Sequence, residues 1–211
     1  MATLRHDAAG WARPAQLAGD PHGDHRLSTN AVQAGTKRTA PVASAAALSH
    51  IHGMTDAIRI LPASGADDMQ VLADLFRGYA ASLPVDLDYQ DFDDELAALP
   101  GKYAPPRGAL LLARDAHGAA LGCAGLRALA EGVCEMKRLY LVPAARGLGL
   151  GRALADAIVT EARRLGYREL RLDTLPTMTR AIAMYEVMGF ARIEPYYRPT
   201  PPGTVFMALK L

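Results

Sequence analysis

The residues best placed to do chemistry lie between Leu139 and Arg152, in the run LYLVPAARGLGLGR. An apolar strand ends at Pro143, a short turn follows, and Arg146-Gly147-Leu148-Gly149-Leu150-Gly151 opens a helix that continues as ALADAIVTEARRLGY. Glycines at alternate positions leave backbone N–H groups uncovered by side chains. At a helix N-terminus the macrodipole adds positive potential, so the arrangement is an anion site suited to a phosphate or pyrophosphate. Three glycine-rich patterns compete for it. The dinucleotide fingerprint G-x-G-x-x-G fails because Arg152 stands three residues after Gly149. The nucleoside-triphosphate loop fails because Arg152-Ala153 replaces Lys-Ser/Thr. The pattern Arg/Gln-x-x-Gly-x-Gly/Ala fits Arg146, Gly149 and Gly151. The alternative is a glycine-rich turn with no ligand.

The elements that must hold this loop are legible from residue 54 onward. Ala57–Leu61 reads as a strand, and Asp67 and Asp68 lead a helical pattern in which Met69, Leu72, Leu75, Phe76 and Tyr79 recur every three or four residues. Phe92–Leu99 is a short second helix stopped by Pro100-Gly101. Strands follow at Gly108–Arg114, Ala120–Leu129 and Val133–Val142, joined by turns at Asp115–Gly118 and near Glu131-Gly132. Leu150, Leu154, Ala157, Ile158, Ala162 and Leu165 form one helical stripe closed by Gly166. The strand Arg168–Thr174, the helix Thr179–Met188, a strand from Phe190 to Ile193, the loop Pro195–Gly203 and the strand Thr204–Leu211 complete the chain.

The 211 residues carry a net charge of +1, which gives no bulk attraction to nucleic acid. No apolar run reaches the roughly 18 residues that a membrane helix needs. Cys123 and Cys134 lie in apolar strands and read as reduced, buried thiols of a cytoplasmic protein. Metal-ligand spacing is absent, so no metal is expected: five of the six histidines precede residue 53, and His117 sits in a turn. Residues 1–53 are small, polar and without sustained periodicity. They read as a disordered extension, with an organelle-targeting segment or a true start at Met54 as alternatives.

On Arg146, Gly149 and Gly151, and on the runs EMKRLYLVPAARGLGLGRAL and RLDTLPTMTRAIAMYEVMGF, the chain resembles the GNAT (GCN5-related) N-acetyltransferases, in a bacterial form. The element order β-α-α-β-β-β-α-β-α-β-β agrees with that resemblance over about 150 residues, from Ala57 onward. The resemblance implies an α/β (α+β) fold: a mixed, mostly antiparallel sheet with helices on both faces. Two strands splay apart there to admit the pantetheine arm of acetyl-CoA.

The same resemblance distributes the work of acetyl transfer to a primary amine by direct attack. Backbone N–H groups of Gly147, Leu148, Gly149, Leu150, Gly151 and Arg152 hold the pyrophosphate, and Arg146 and Arg152 add charge. Leu139, Tyr140 and Leu141 offer strand N–H and C=O groups to the pantetheine, freed by a bulge or splay, and an N–H near Leu139 or Tyr140 serves the oxyanion. Glu135 is the base candidate, acting through water; the alternative is a strand glutamate paired with Lys137 or Arg138. Tyr185 is the acid for the departing thiolate; the alternative is a core tyrosine. Where many members carry an asparagine seven residues before that tyrosine, this chain has Met178, so Thr177 or Thr179 is expected to replace the contact. The acid-rich run 86–95 and the loop Pro195–Gly203, with Tyr196, Tyr197 and Arg198, are expected to wall the amine site, which favours a cationic acceptor. A non-catalytic acyl-CoA sensor is the competing class, against which the presence of both Glu135 and Tyr185 argues. A longer acyl donor and a homodimer stay open.

Overall fold

The computed structural model describes residues 58–85 and 91–211. The expected N-terminal extension, the alternative start at Met54 and residues 86–90 of the acid-rich run lie outside them. Among the described residues, seven strands form one sheet in the order β1-β2-β3-β4-β5-β7-β6. The strands are β1 (Arg59–Pro62), β2 (Ala109–Arg114), β3 (Ala120–Ala130), β4 (Val133–Leu141), β5 (Glu169–Thr174), β6 (Ala191–Ile193) and β7 (Val205–Lys210). Helices α1 (Gly65–Ala81) and α2 (Phe92–Ala97) fall between β1 and β2, α3 (Leu150–Arg164) between β4 and β5, and α4 (Thr179–Val187) between β5 and β6. The expected order holds, as does the mixed sheet: β4 and β5 pair in parallel and the other neighbours are antiparallel. Two short 3-10 turns, Gly101–Tyr103 and Pro143–Ala145, fill stretches read as a helix stop and a loop.

Each helix is fixed by a simple amphipathic logic. Leu72, Leu75 and Phe76 of α1 are buried, and the Asp68 carboxylate reaches back to accept from the N–H of Ser64 at the N-cap (2.8 Å). Leu150, Leu154, Ile158 and Ala162 form the buried stripe of α3, which ends at Gly166 in the left-handed conformation (φ +81°). The helices cover opposite faces. Tyr140 and Leu141 are strand neighbours, so their side chains diverge. The Tyr140 ring meets Tyr79 and the backbone at Gly78 on α1, whereas Leu141 meets Gly151 on α3.

Two irregularities in β4 set up everything that follows. First, Ala124 of β3 lies opposite two residues, Arg138 and Leu139, and Arg138 has φ +56°. This is a β-bulge with a non-glycine residue in the left-handed region, which needs outside support. The support is a buried ion pair: Arg138 Nε and Nη2 donate to Glu95 Oε1 and Oε2 of α2 at 2.8 and 3.1 Å, and Tyr103 Oη donates to the same Oε1 at 3.0 Å. Tyr103 itself fits only because β3 offers Gly125, where a Cβ would lie 2.7 Å from its ring. Second, β4 and β5 share just three pairs, Val133 with Glu169, Cys134 with Leu170 and Glu135 with Arg171, before they part.

Glu95 was expected to be one of the acids facing a substrate. It is instead an internal partner, because the Arg138 guanidinium is too costly to bury alone. Burial raises the Glu95 carboxyl, but the hydrogen bonds and charge of Arg138 outweigh that and hold it below its ordinary value. A depressed carboxylate contributes stability above its unfolded pKa and loses it as pH falls through the folded pKa. Glu95→Gln, which keeps the shape and removes the charge, should therefore cost about 3 kcal/mol at neutral pH. It should also flatten the acid limb of the stability curve, as followed by urea denaturation between the neutral and carboxylate ranges.

Candidate active site

The expected anion loop has the geometry its glycines predict. Gly147 and Gly149 have φ +82° and +75°, and Gly149 is the N-cap of α3. No side chain caps the helix, and its first backbone bond runs from the N–H of Ala153 to Gly149 O (3.1 Å). The N–H groups from Leu150 to Arg152 precede that bond and have no intrahelical acceptor. A Cβ built at Gly147 or Gly149 would meet nothing within 4 Å, and one at Gly151 would meet only Leu141 Cδ1 at 3.6 Å. The glycines thus keep space open at the helix end, where packing does not demand it. Leu148 is exposed, while Leu150 turns its side chain into the core.

The two arginines are engaged locally. Arg146 Nε donates to Leu141 O (3.3 Å) with its guanidinium over the Tyr140 ring, and Arg152 pairs with Asp156 one turn on (2.8 Å).

From this helix end the gap between β4 and β5 runs back along the sheet. Val142 N–H bonds to Leu121 O of β3, so strand alternation turns the polar groups of Tyr140 toward β3 as well, opposite Cys123. Those of Leu139 and Leu141 face the gap. Of the three residues expected to offer backbone groups, Leu139 and Leu141 thus face the gap, where Arg146 already meets the Leu141 carbonyl, and Tyr140 faces β3.

The gap widens into a cleft whose walls come from both faces of the sheet. Tyr79 of α1 and Leu83 just beyond its end lie on one side, and Met178, Ala181 and Tyr185 at α4 lie on the other. Tyr185 is buried against Phe190, with ring centroids 5.6 Å apart, and its hydroxyl has no hydrogen-bond partner among the described residues. Burial pushes its phenol well up, helped by the charges of Tyr79 and Asp173, so it is firmly protonated. At the expected asparagine position, the Met178 sulfur accepts from Thr174 Oγ1 (3.4 Å).

Glu135 does not reach this cleft. It is fully buried at the last paired rung of β4 and β5. Arg127 of β3 donates to Oε2 through Nε (2.7 Å) and also pairs with that oxygen through Nη2 (2.6 Å), while Tyr196 Oη donates to Oε1 (2.7 Å). The expected alternative partners are also corrected. Arg138 is held by Glu95, and Lys137 binds Asp173 of β5 across the gap, Nζ to Oδ1 at 2.8 Å, with the ammonium 5.6 Å from the Tyr197 ring centroid. Lys137 and Asp173 both line the cleft and were not anticipated. Asp173 is a lone acid in the alternating run RELRLDT, and alternation alone does not reveal which residue stands past the last paired rung. In the loop Pro195–Gly203, Tyr196 and Tyr197 pack on Phe206, with the Tyr197 ring beside Lys137.

A family model described as the Acetyltransferase (GNAT) family matches residues 71–190, more than half of the chain. The chain belongs to the GNAT family. An uncharacterized N-acetyltransferase of Schizosaccharomyces pombe is 43% identical over 146 residues, covering 69% of this chain and 88% of that protein. An uncharacterized N-acetyltransferase of Escherichia coli is 31% identical over 132 residues, covering 60% and 78%. Among solved structures, a GNAT phosphinothricin acetyltransferase of Sinorhizobium meliloti in complex with AcCoA superposes with a TM-score of 0.56 over 74% of this chain and 89% of its own, at 21% identity. At that identity the likeness shows the fold. This GNAT protein is accordingly an acetyl-CoA-dependent N-acetyltransferase, with acetyl-CoA as co-substrate and an amine as acceptor. Its uncapped helix end, open glycines and strand gap fit the pyrophosphate and pantetheine of that co-substrate. Among the described residues, no helix is long and apolar enough to cross a membrane, and no group of three metal-binding side chains lies together.

The open space at Gly151 makes a clean test. Gly151→Val needs no left-handed backbone and meets little protein, so the fold should tolerate it. Acetyl-CoA affinity by calorimetry should fall at least tenfold, about 1.4 kcal/mol, because the branched side chain fills the phosphate site. Gly149→Val should lose affinity and stability together, since φ +75° strains a β-branched residue. Unchanged affinity in Gly151→Val would remove the pyrophosphate from this helix end.

Proposed function

We propose that this GNAT enzyme acetylates a cationic primary amine by direct attack, in a complex holding both substrates at once. The observation that carries the reading is the gap past Glu135 and Arg171, which joins the uncapped end of α3 to a cleft walled from both faces. Backbone N–H groups from Gly147 to Arg152 hold the pyrophosphate. Leu139 and Leu141 take the pantetheine amides as a third strand would, which directs the thioester toward the bulge at Arg138. An amine then approaches from the α1 side, past Tyr79 and Leu83.

Two groups serve the charges that develop. The N–H of Leu139, turned toward the gap, stabilises the oxyanion. Tyr185 gives its proton to the departing sulfur. A coenzyme A thiol titrates near Cys, about 8.5, and the raised phenol of Tyr185 keeps its proton until a thiolate forms beside it. Glu135 is not the base in this reading, because both carboxylate oxygens are already bonded and the side chain is sealed from the cleft. It anchors the loop Pro195–Gly203 through Tyr196 instead. Cys123 and Cys134 are free and buried, with burial pushing the Cys134 thiol up to about 12, which suits a reducing, cytoplasmic setting.

Thiol release from acetyl-CoA in the presence of spermidine, glucosamine or Nα-acetyl-lysine tests the reading. At least one should be acetylated. Tyr185→Phe should then lower turnover by roughly 10²-fold while the melting temperature stays put, since the ring packing on Phe190 is retained. Acetyl-CoA binding without release for any amine would mark a sensor. Full activity in Tyr185→Phe would make the tyrosine a core residue.

A further inference from the structure

With Glu135 sealed, the chemistry still needs a group to take the proton that the amine loses. Every carboxylate near the cleft can be asked whether an oxygen is left over. Glu95 gives both oxygens to Arg138, and Glu135 gives one to Arg127 and one to Tyr196. Asp173 differs. Its Oδ1 accepts from Lys137 Nζ at 2.8 Å, and its Oδ2 has no hydrogen-bond partner among the described residues. The side chain is 11% exposed, and what it exposes lines the cleft. It stands on β5 two residues beyond the last rung shared with β4, where the sheet has opened.

We propose that Asp173 is the proton acceptor for the incoming amine: its free Oδ2 binds the amine N–H within the cleft, while Lys137 holds Oδ1 and keeps the carboxylate oriented. This rests on the reading of the cleft as the amine site. The balance is simple. Asp173 Oδ2 takes one proton from the bound ammonium, which frees the nitrogen lone pair to form the C–N bond. The C–S bond breaks with its electrons on sulfur, Tyr185 protonates the sulfur, and the second proton of the nitrogen restores Tyr185 through solvent. Net, the ammonium gives up two protons, one to the thiol and one to solvent by way of Asp173.

The surroundings suit the task. The ionisable groups around Asp173 are Lys137 and Arg138 on β4, Arg171 on β5, Tyr79 on α1, Tyr185 on α4, and Tyr196 and Tyr197 of the loop Pro195–Gly203. Each of the three cations is already paired, Lys137 with Asp173, Arg138 with Glu95 and Arg171 with Glu169. The Asp173 charge is felt at Tyr185, which places base and acid within electrostatic reach across the cleft. Lys137, 6% exposed, spends one of its three N–H donors on Oδ1 and leans on the Tyr197 ring, so it acts as a fixed strut between the parted strands.

Asp173→Asn keeps an oxygen for Lys137 and removes the base. With whichever of spermidine, glucosamine and Nα-acetyl-lysine the native enzyme acetylates, kcat at pH 7 should fall by roughly 10²-fold. The deficit should shrink as pH rises toward the amine pKa, about 10.4 for a lysine-like group. Acetyl-CoA affinity should match the native protein, which separates this result from a failure of the cofactor site, while the melting temperature should fall because Lys137 loses its buried partner. The double variant Asp173→Asn/Lys137→Met should stay as slow as Asp173→Asn. Three results would overturn the proposal: unchanged kcat in Asp173→Asn, a deficit equal at every pH, or recovery in the double variant, which would make Asp173 merely the partner of a buried lysine. If native enzyme acetylates none of the three amines, the cationic-acceptor reading falls and this assignment with it.

Discussion

A sheet pairs its strands unless something stops it, because each unpaired backbone group away from water costs free energy. Between β4 and β5 the pairing stops after three rungs, and the protein holds it stopped from both sides. On β4, the bulge at Arg138 shifts the strand by one residue, and its left-handed backbone is pinned by the bidentate pair with Glu95. Across the gap, Lys137 and Asp173 replace a backbone rung with a longer side-chain link, bridging strands that have moved apart. Arg146 Nε meets the carbonyl of Leu141, and the polar groups that Leu139 and Leu141 still turn to the gap are, in the function proposed above, what the amide-bearing arm of acetyl-CoA pairs with.

Charge is arranged on the same plan. Arg127, Lys137 and Arg138 come from β3 and β4, and each is paired with an acid from a different place: Glu135 on β4, Asp173 on β5 and Glu95 on α2. Buried charges tolerate no vacancy, so these pairs fix the strands and α2 relative to one another. Within this set the second oxygen of Asp173 is left over, and it faces the cleft. At the other end of the gap, the N-terminus of α3 leaves donors unsatisfied where a phosphate can meet them.

Much of this was legible in the chain. The continuous apolar run ALLLAR, the alternation in RELRLDT and the stripe from Leu150 to Ala162 are local patterns, and the elements fell where the pattern put them. The loop from Arg146 to Gly151 was readable because glycine has a conformational meaning independent of tertiary context. Pairings were not readable. Glu135 lies beside Lys137 and Arg138 in sequence, yet meets Arg127 eight residues back and Tyr196 sixty-one residues on. Strand neighbours two apart share a face, but the parted strands gave Lys137 a closer acid in Asp173, and the bulge turned Arg138 toward α2. Such choices depend on which elements the fold brings together, and a one-residue bulge cannot be seen in a pattern of period two. The free oxygen of Asp173 follows from those pairings, so it too appears only in three dimensions.

The central claim is that the gap beside β4 is the acetyl-CoA slot. Amide hydrogen exchange, resolved residue by residue with and without acetyl-CoA, reads it directly. The account predicts new protection at Leu139, at Leu141 and across Gly149–Arg152. Tyr140, already directed toward Cys123 on β3, should change little. Protection confined to other strands, with Leu139 and Leu141 exchanging as fast in the complex as in the free protein, would contradict it.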